Sequence, residues 1–149
     1  SNSSAASDVY KRQGLDSALC MEASLKLKEI SYIHSEAMAA GELKHGTIAL
    51  ISDGTPVVAL CCREELLGKM ISGIEEVKAR GAKVLAVARS GERRILAAAD
   101  DVIYVPGTEP LFDAIAEIVP LQLLAYYAAR EKGCDIDKPR NLAKSVTVE

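Results

Sequence analysis

Pro56-Val-Val-Ala-Leu-Cys-Cys62 is an unbroken apolar run of strand length, with a turn signal, Asp53-Gly54, just before it. A half-buried strand alternates apolar and polar residues, whereas a strand covered on both faces has no polar position to spare. This run therefore predicts a strand buried on both sides. Outward along the chain, Glu64 to Arg80 carries Leu66, Leu67, Met70, Ile71, Ile74 and Val77 at helical spacing, and Gly81 ends it. Lys83-Val-Leu-Ala-Val-Ala88 predicts a second strand, Glu92 to Ala99 a short helix, and Asp101-Val-Ile-Tyr-Val105 a third strand. A long apolar helix follows over Pro110 to Lys132, interrupted by Pro120 and ended by Gly133. Strands alternating with helices predict a three-layer α/β/α sandwich around an open parallel sheet with right-handed crossovers.

Before that first strand, Leu15 to about Ala40 predicts a long helix ended at Gly41, and Glu42 to Ile51 a short helical or turning segment. At about 100° per residue, Ser17, Ser24, Lys28, Ser31 and Ser35 share a polar face expected to look outward. Leu15, Leu19, Leu25, Ile30, Ile33 and Ala37 fill the opposite, core-facing half. Glu22, Lys26 and Glu29 fall in the middle of that apolar half. Their i, i+4, i+7 spacing suits a solvated salt-bridge ladder. On a core-facing stripe, the same charges are instead a buried pair or the lining of a polar cleft.

Composition narrows the function classes. The 149 residues carry a net charge of −3 with acids and bases interleaved, which excludes a phosphate-backbone footprint and hence nucleic acid. No stretch reaches the length of a transmembrane span. The four cysteines, Cys20, Cys61, Cys62 and Cys134, show neither CxxC nor a zinc spacing, so reduced thiols in a cytoplasmic protein are expected, with no metal. Residues 1–13 begin Ser-Asn-Ser-Ser-Ala-Ala-Ser, without an apolar segment, and are expected to be a disordered leader, a cloning scar or a truncation point. His34 and His45 are the only histidines; His45 lies beside Gly46 in a more exposed context.

Two longer strings are more specific. Leu25-Lys-Leu-Lys-Glu-Ile-Ser-Tyr-Ile-His-Ser-Glu-Ala-Met-Ala-Ala-Gly-Glu-Leu-Lys-His-Gly46 resembles the isomerase motif of the glutamine–fructose-6-phosphate aminotransferase (isomerising), or glucosamine-6-phosphate synthase, family. Asp137-Lys-Pro-Arg-Asn-Leu-Ala-Lys-Ser-Val-Thr-Val-Glu149 resembles the same family's C-terminal end. The resemblance runs from about Gly14 to the C-terminus. It implies that residues 14–149 are the second sugar isomerase (SIS) domain, without its usual first strand and with a catalytic tail. It also implies roles. Glu29 would be the base that moves a proton between C1 and C2 of the sugar phosphate, with Glu22 and Lys26 beside it. Lys144 would form the Schiff base with the C2 carbonyl of fructose 6-phosphate, and the backbone of Ala143 would touch the sugar. His45 would open the sugar ring in the neighbouring subunit's site, which implies a homodimer. No metal or organic cofactor is implied. The family's phosphate loop, in a preceding SIS domain, and its glutaminase are absent from these residues; Arg63-Glu-Glu65 would repel a phosphate, and Ser90-Gly91 is too little for a cradle. The alternative is a stand-alone SIS module that binds a sugar phosphate without catalysis.

Overall fold

Three parallel strands carry the architecture: β1 (Pro56–Cys61), β2 (Lys83–Arg89) and β3 (Asp101–Val105), hydrogen-bonded in the order β1-β2-β3. The register sets Ala59 opposite Ala86 and Ala86 opposite Val102. These strands belong to a computed structural model that describes residues 15–39, 41–109, 112–140 and 142. The apolar run at the centre behaves as its composition requires, because five of the six β1 side chains are buried. Val57, Ala59 and Cys61 enter one core cluster, and Val58, Leu60 and Cys62 enter the other. That is the period of two of an extended chain. β3 is different, with only Val105 buried and Ile103 and Tyr104 exposed, so it closes the sheet as a one-sided edge.

Helices cover the two faces. α1 (Leu15–Ser31) and α3 (Asp113–Glu131) pack together over the Val58–Leu60–Cys62 side. α2 (Leu67–Lys78) covers the other side through Leu67, Met70, Ile74 and Val77, a spacing of three and four residues that keeps one stripe inward. The segment expected as one helix from Glu64 opens as a 3-10 turn, Glu64–Leu66, before α2. The short helix expected near Glu92 is a 3-10 turn at Arg94–Ala97, and Glu42 to Ile51 forms two such turns, Leu43–His45 and Thr47–Leu50. Pro120 is buried inside α3, which continues through it. Among the described residues no helix is long and apolar enough to cross a membrane.

Two expectations about α1 are corrected. The helix ends at Ser31, not near Ala40, because Tyr32 takes the left-handed conformation at φ 57°. A positive φ cannot continue a right-handed helix. The chain then doubles back along α1: Ser24 Oγ donates to the Ser35 carbonyl at 3.0 Å, and Ser35 Oγ to the Ser24 carbonyl at 3.1 Å. The serine face is consequently the inner one. Ser24, Ser31 and Ser35 are 4%, 0% and 1% exposed, while Leu25 and Met21 stand out at 43% and 55%. Buried hydroxyls are tolerable there because each finds a partner; Ser31 Oγ donates to the Leu27 carbonyl at 2.6 Å.

One tight turn and one set of thiols give measurable consequences. Gly81 has φ 90°, and a Cβ there would lie 2.7 Å from Asp53 Cα, whereas Gly133, at φ 68°, faces open space. Gly81→Ala should cost about 2–4 kcal/mol of unfolding free energy in urea, and Gly133→Ala only about 1 kcal/mol. Equal losses would show that the Asp53 contact is not limiting. Cys20, Cys61 and Cys62 are buried, and burial pushes the Cys61 thiol up to about 12. Cys134, half-buried, should react rapidly with a thiol reagent in the native chain, the other three only on unfolding.

Candidate functional site

The charged trio on α1 is a ladder on a partly exposed surface, which corrects its expected place on the core-facing half. Lys26 Nζ lies 2.6 Å from Glu29 Oε2 and 3.5 Å from Glu22 Oε1. The side chains of Glu22, Lys26 and Glu29 are 44%, 38% and 25% exposed. The helical wheel was turned the wrong way because the buried serines carry the inner face. The hydrogen bond to Glu29 is the largest influence that raises the Lys26 pKa above 10.5, so its ammonium persists at neutral pH. Glu29 is the least exposed of the three. A carboxylate so placed, with a cation fixed beside it, can accept a proton from a bound molecule and return it.

The segment that leads into the C-terminal tail is tied to the end of the same helix. Arg140 N donates to Tyr32 Oη at 2.8 Å, and the Arg140 guanidinium stacks 4.2 Å above the Tyr32 ring centroid. Cys134 Sγ reaches the Ser31 carbonyl at 3.9 Å, within the longer range of sulfur hydrogen bonds. The left-handed Tyr32, three residues beyond Glu29, is thus the anchor on which the tail begins. Ala143 and Lys144 themselves lie outside the described residues.

His45 belongs to the opposite layer. It is exposed at the end of the Leu43–His45 turn, whose Leu43 is buried in the α2-side cluster. Lys44 pairs with Glu76 of α2 at 2.7 Å and holds the turn there. Gly46, at φ 142°, then reverses the chain in a conformation that side chains rarely adopt. Glu29 and His45 of one chain therefore lie on different faces of the sheet. His34 is exposed, 3.5 Å from Glu36.

A further cluster was not among the expected site residues. Arg63, just past β1, and Arg89, which ends β2, both point at Asp113, the first residue of α3. Asp113 is 2% exposed and accepts hydrogen bonds from Arg63 Nη1 at 3.0 Å, from Arg89 Nη2, and from Thr108 Oγ1 at 2.7 Å. Glu117, equally buried, lies 3.8 Å from Arg63 Nη2. A cleft of about 340 Å³ opens beside them, lined in part by Cys62, Arg63, Arg89, Glu92 and Asp113. Arg63 is therefore engaged internally, and Glu64 is bound by Arg94 at 2.7 Å. A signal was present: an arginine ends the second apolar strand and another lies two residues past the first. Among the described residues no group of three or more His, Cys, Asp or Glu side chains could hold a metal ion.

Comparison with known proteins places this geometry. The chain is 60% identical over 140 residues to a glutamine–fructose-6-phosphate aminotransferase (isomerizing) from Caldanaerobacter subterraneus subsp. tengcongensis, covering 94% of this chain and 23% of that protein. Its structure matches the C-terminal domain of glucosamine-fructose-6-phosphate aminotransferase from Francisella tularensis with a TM-score of 0.80 and 36% identity, over 91% of this chain and 38% of that one. A glucosamine-6-phosphate deaminase from Thermotoga maritima matches with a TM-score of 0.74 and 28% identity, over 94% of this chain and 40% of that one. The chain thus spans less than a quarter of the length of such curated relatives. The family profile described as SIS domain matches residues 13–132, most of the chain, with the parallel sheet and all three helices inside it, and the chain belongs to the SIS-domain family.

Proposed function

We propose that residues 14–149 are the second SIS domain of an enzyme that makes glucosamine 6-phosphate from fructose 6-phosphate and glutamine in the cytoplasm. The observation that carries this reading is the Tyr32–Arg140 contact, which brings the start of the tail to the end of the helix that holds Glu29. Lys144 follows Arg140 by four residues, and four residues of extended chain reach at most roughly 14 Å. That reach supports a reading in which Lys144 and Glu29 meet at one sugar. The Lys144 amine attacks the C2 carbonyl of open-chain fructose 6-phosphate and expels water as the Schiff base forms. Glu29 then moves a proton between C1 and C2, with Lys26 fixing its carboxylate and Glu22 completing the ladder, while the Ala143 backbone meets the sugar.

His45 fits the ring-opening role in a second subunit, since imidazole gives and takes a proton near neutrality and His45 faces away from its own chain's Glu29. That assignment requires a homodimer. The first SIS domain and the glutaminase, as partners in the full-length protein, would supply the phosphate loop and the ammonia. α3 has room for such partners: Ile115, Val119, Leu123 and Tyr126 form an exposed stripe along it.

Reductive trapping tests the reading. The folded chain is incubated with fructose 6-phosphate and reduced with borohydride, and the adduct is mapped by mass spectrometry. The expected adduct sits on Lys144 alone and is lost in Lys144→Arg. Glu29→Gln should keep the adduct but slow solvent-deuterium exchange at the sugar C1 by roughly 10²–10⁴-fold, the range for a lost general base. A folded chain that forms no adduct, alone or with the first SIS domain added, would overturn the covalent role and favour a stand-alone sugar-phosphate-binding module. An adduct only with that domain present would show that the site needs it. The 149 residues alone should make no glucosamine 6-phosphate from glutamine. Measurable synthesis would refute the assignment as one domain of a larger catalyst.

A further inference from the structure

The arginine cluster at the carboxyl ends of β1 and β2 stands apart from the α1–tail site. In an open parallel sheet, ligands collect beyond the carboxyl ends of the strands. Two guanidiniums converging there make a seat for an anion, because each offers a planar fork of donors suited to a carboxylate or phosphate. Here the seat is filled from within. One Asp113 oxygen takes both arginines, Arg63 and Arg89, and the other takes the Thr108 hydroxyl. Two arginines and a hydroxyl are the donors that a phosphate monoester also seeks.

We propose that Asp113 is a built-in anion that occupies a phosphate seat formed by Arg63, Arg89 and Thr108 and shuts it to phosphate monoesters. Charge explains the closure. The two arginines face the carboxylates of Asp113 and Glu117, so these four charges sum to zero. At the rim, Arg94 is engaged by both Glu64 and Glu92, and Glu65 also lines the cleft, so the rim is net negative and itself repels an anion. A dianion that entered the cleft would have to break the Asp113 contacts and leave that carboxylate buried without its partners, an unfavourable exchange. Removal of the Asp113 charge leaves Arg63 and Arg89 facing Glu117 alone, beside about 340 Å³ of open cleft. Phosphate recognition in the intact protein is then left to surfaces outside this cleft.

Asp113→Asn tests this, since it keeps the side-chain volume and can still bond Thr108. Urea unfolding midpoints are compared in inorganic phosphate and in chloride at equal ionic strength. A ligand that binds only the folded state raises the midpoint with its concentration. The expected result is a phosphate-dependent rise for Asp113→Asn, none for the unaltered chain, and none for Asp113→Asn combined with Arg89→Gln. A folded Asp113→Asn chain indifferent to phosphate would overturn the proposal, as would an equal rise in the unaltered chain or the double variant. If the single variant unfolds in chloride, phosphate should refold it. Persistent unfolding in phosphate also counts against the proposal, because an anion that fits the seat would replace the missing charge. None of these readouts depends on Lys144 or on catalysis.

Discussion

A strand buried on both faces has no freedom of register or orientation, and β1 is in that position. Moving it by one residue would exchange Val57, Ala59 and Cys61 with Val58, Leu60 and Cys62, and so present each helical layer with the wrong set of side chains. The α2 stripe on one side and the α1–α3 pair on the other are fitted to those two sets. β2 and β3 then follow from parallel pairing to it, directly or at one remove. The functional groups inherit their positions from this arrangement. Arg63 leaves β1 at its carboxyl end, Glu29 rides on α1, and His45 sits on the turn tucked against the α2 side.

Tyr32 joins that scaffold to the segment ending at Arg140. If the helix continued to Gly41, the charged ladder would lie along an uninterrupted rod and the tail would have nowhere to dock. The left-handed residue instead stops α1 three residues after Glu29 and offers its ring and hydroxyl to Arg140. The paired Ser24 and Ser35 hold the returning chain against the helix, so the turn is braced on its far side. A non-glycine residue with positive φ is strained, and surrounding contacts must hold it in place. Here those contacts are the ones that carry the tail.

The strands and α2 could be read from sequence because their information is local: apolar runs, helical spacing, and Gly81 as a stop. The end of α1 could not, since nothing in Ser31-Tyr32-Ile33 announces a left-handed residue. The inward serines were hidden for a related reason. Ser24 and Ser35 are partners eleven residues apart across a turn, and a helical wheel sees only the helix. The Asp113 cluster is more distant still, because Arg63 and Asp113 are fifty residues apart. Glu22, Lys26 and Glu29 were legible as a group through spacing, but their exposure was not. The role expected of Lys144 came from the resemblance of whole strings, since a lysine near a chain end carries no such meaning by itself.

The two charged clusters of this domain differ in what burial does to them. The α1 ladder is 25% to 44% exposed, so water screens it, and pairs of that kind contribute at most about 1 kcal/mol each to stability. Its value is positional: a carboxylate near solvent, held by a lysine, is accessible to a substrate and loses little when the substrate displaces the lysine. Asp113 and Glu117, each 2% exposed, are in the opposite regime. Removing one partner of a buried pair typically costs 3–5 kcal/mol, because the remaining charge is left without compensation. A group that must exchange partners during a reaction belongs in the first environment, and one that must never let go belongs in the second. The same contrast separates Glu29, proposed to act on the substrate, from Asp113, proposed to close the cleft.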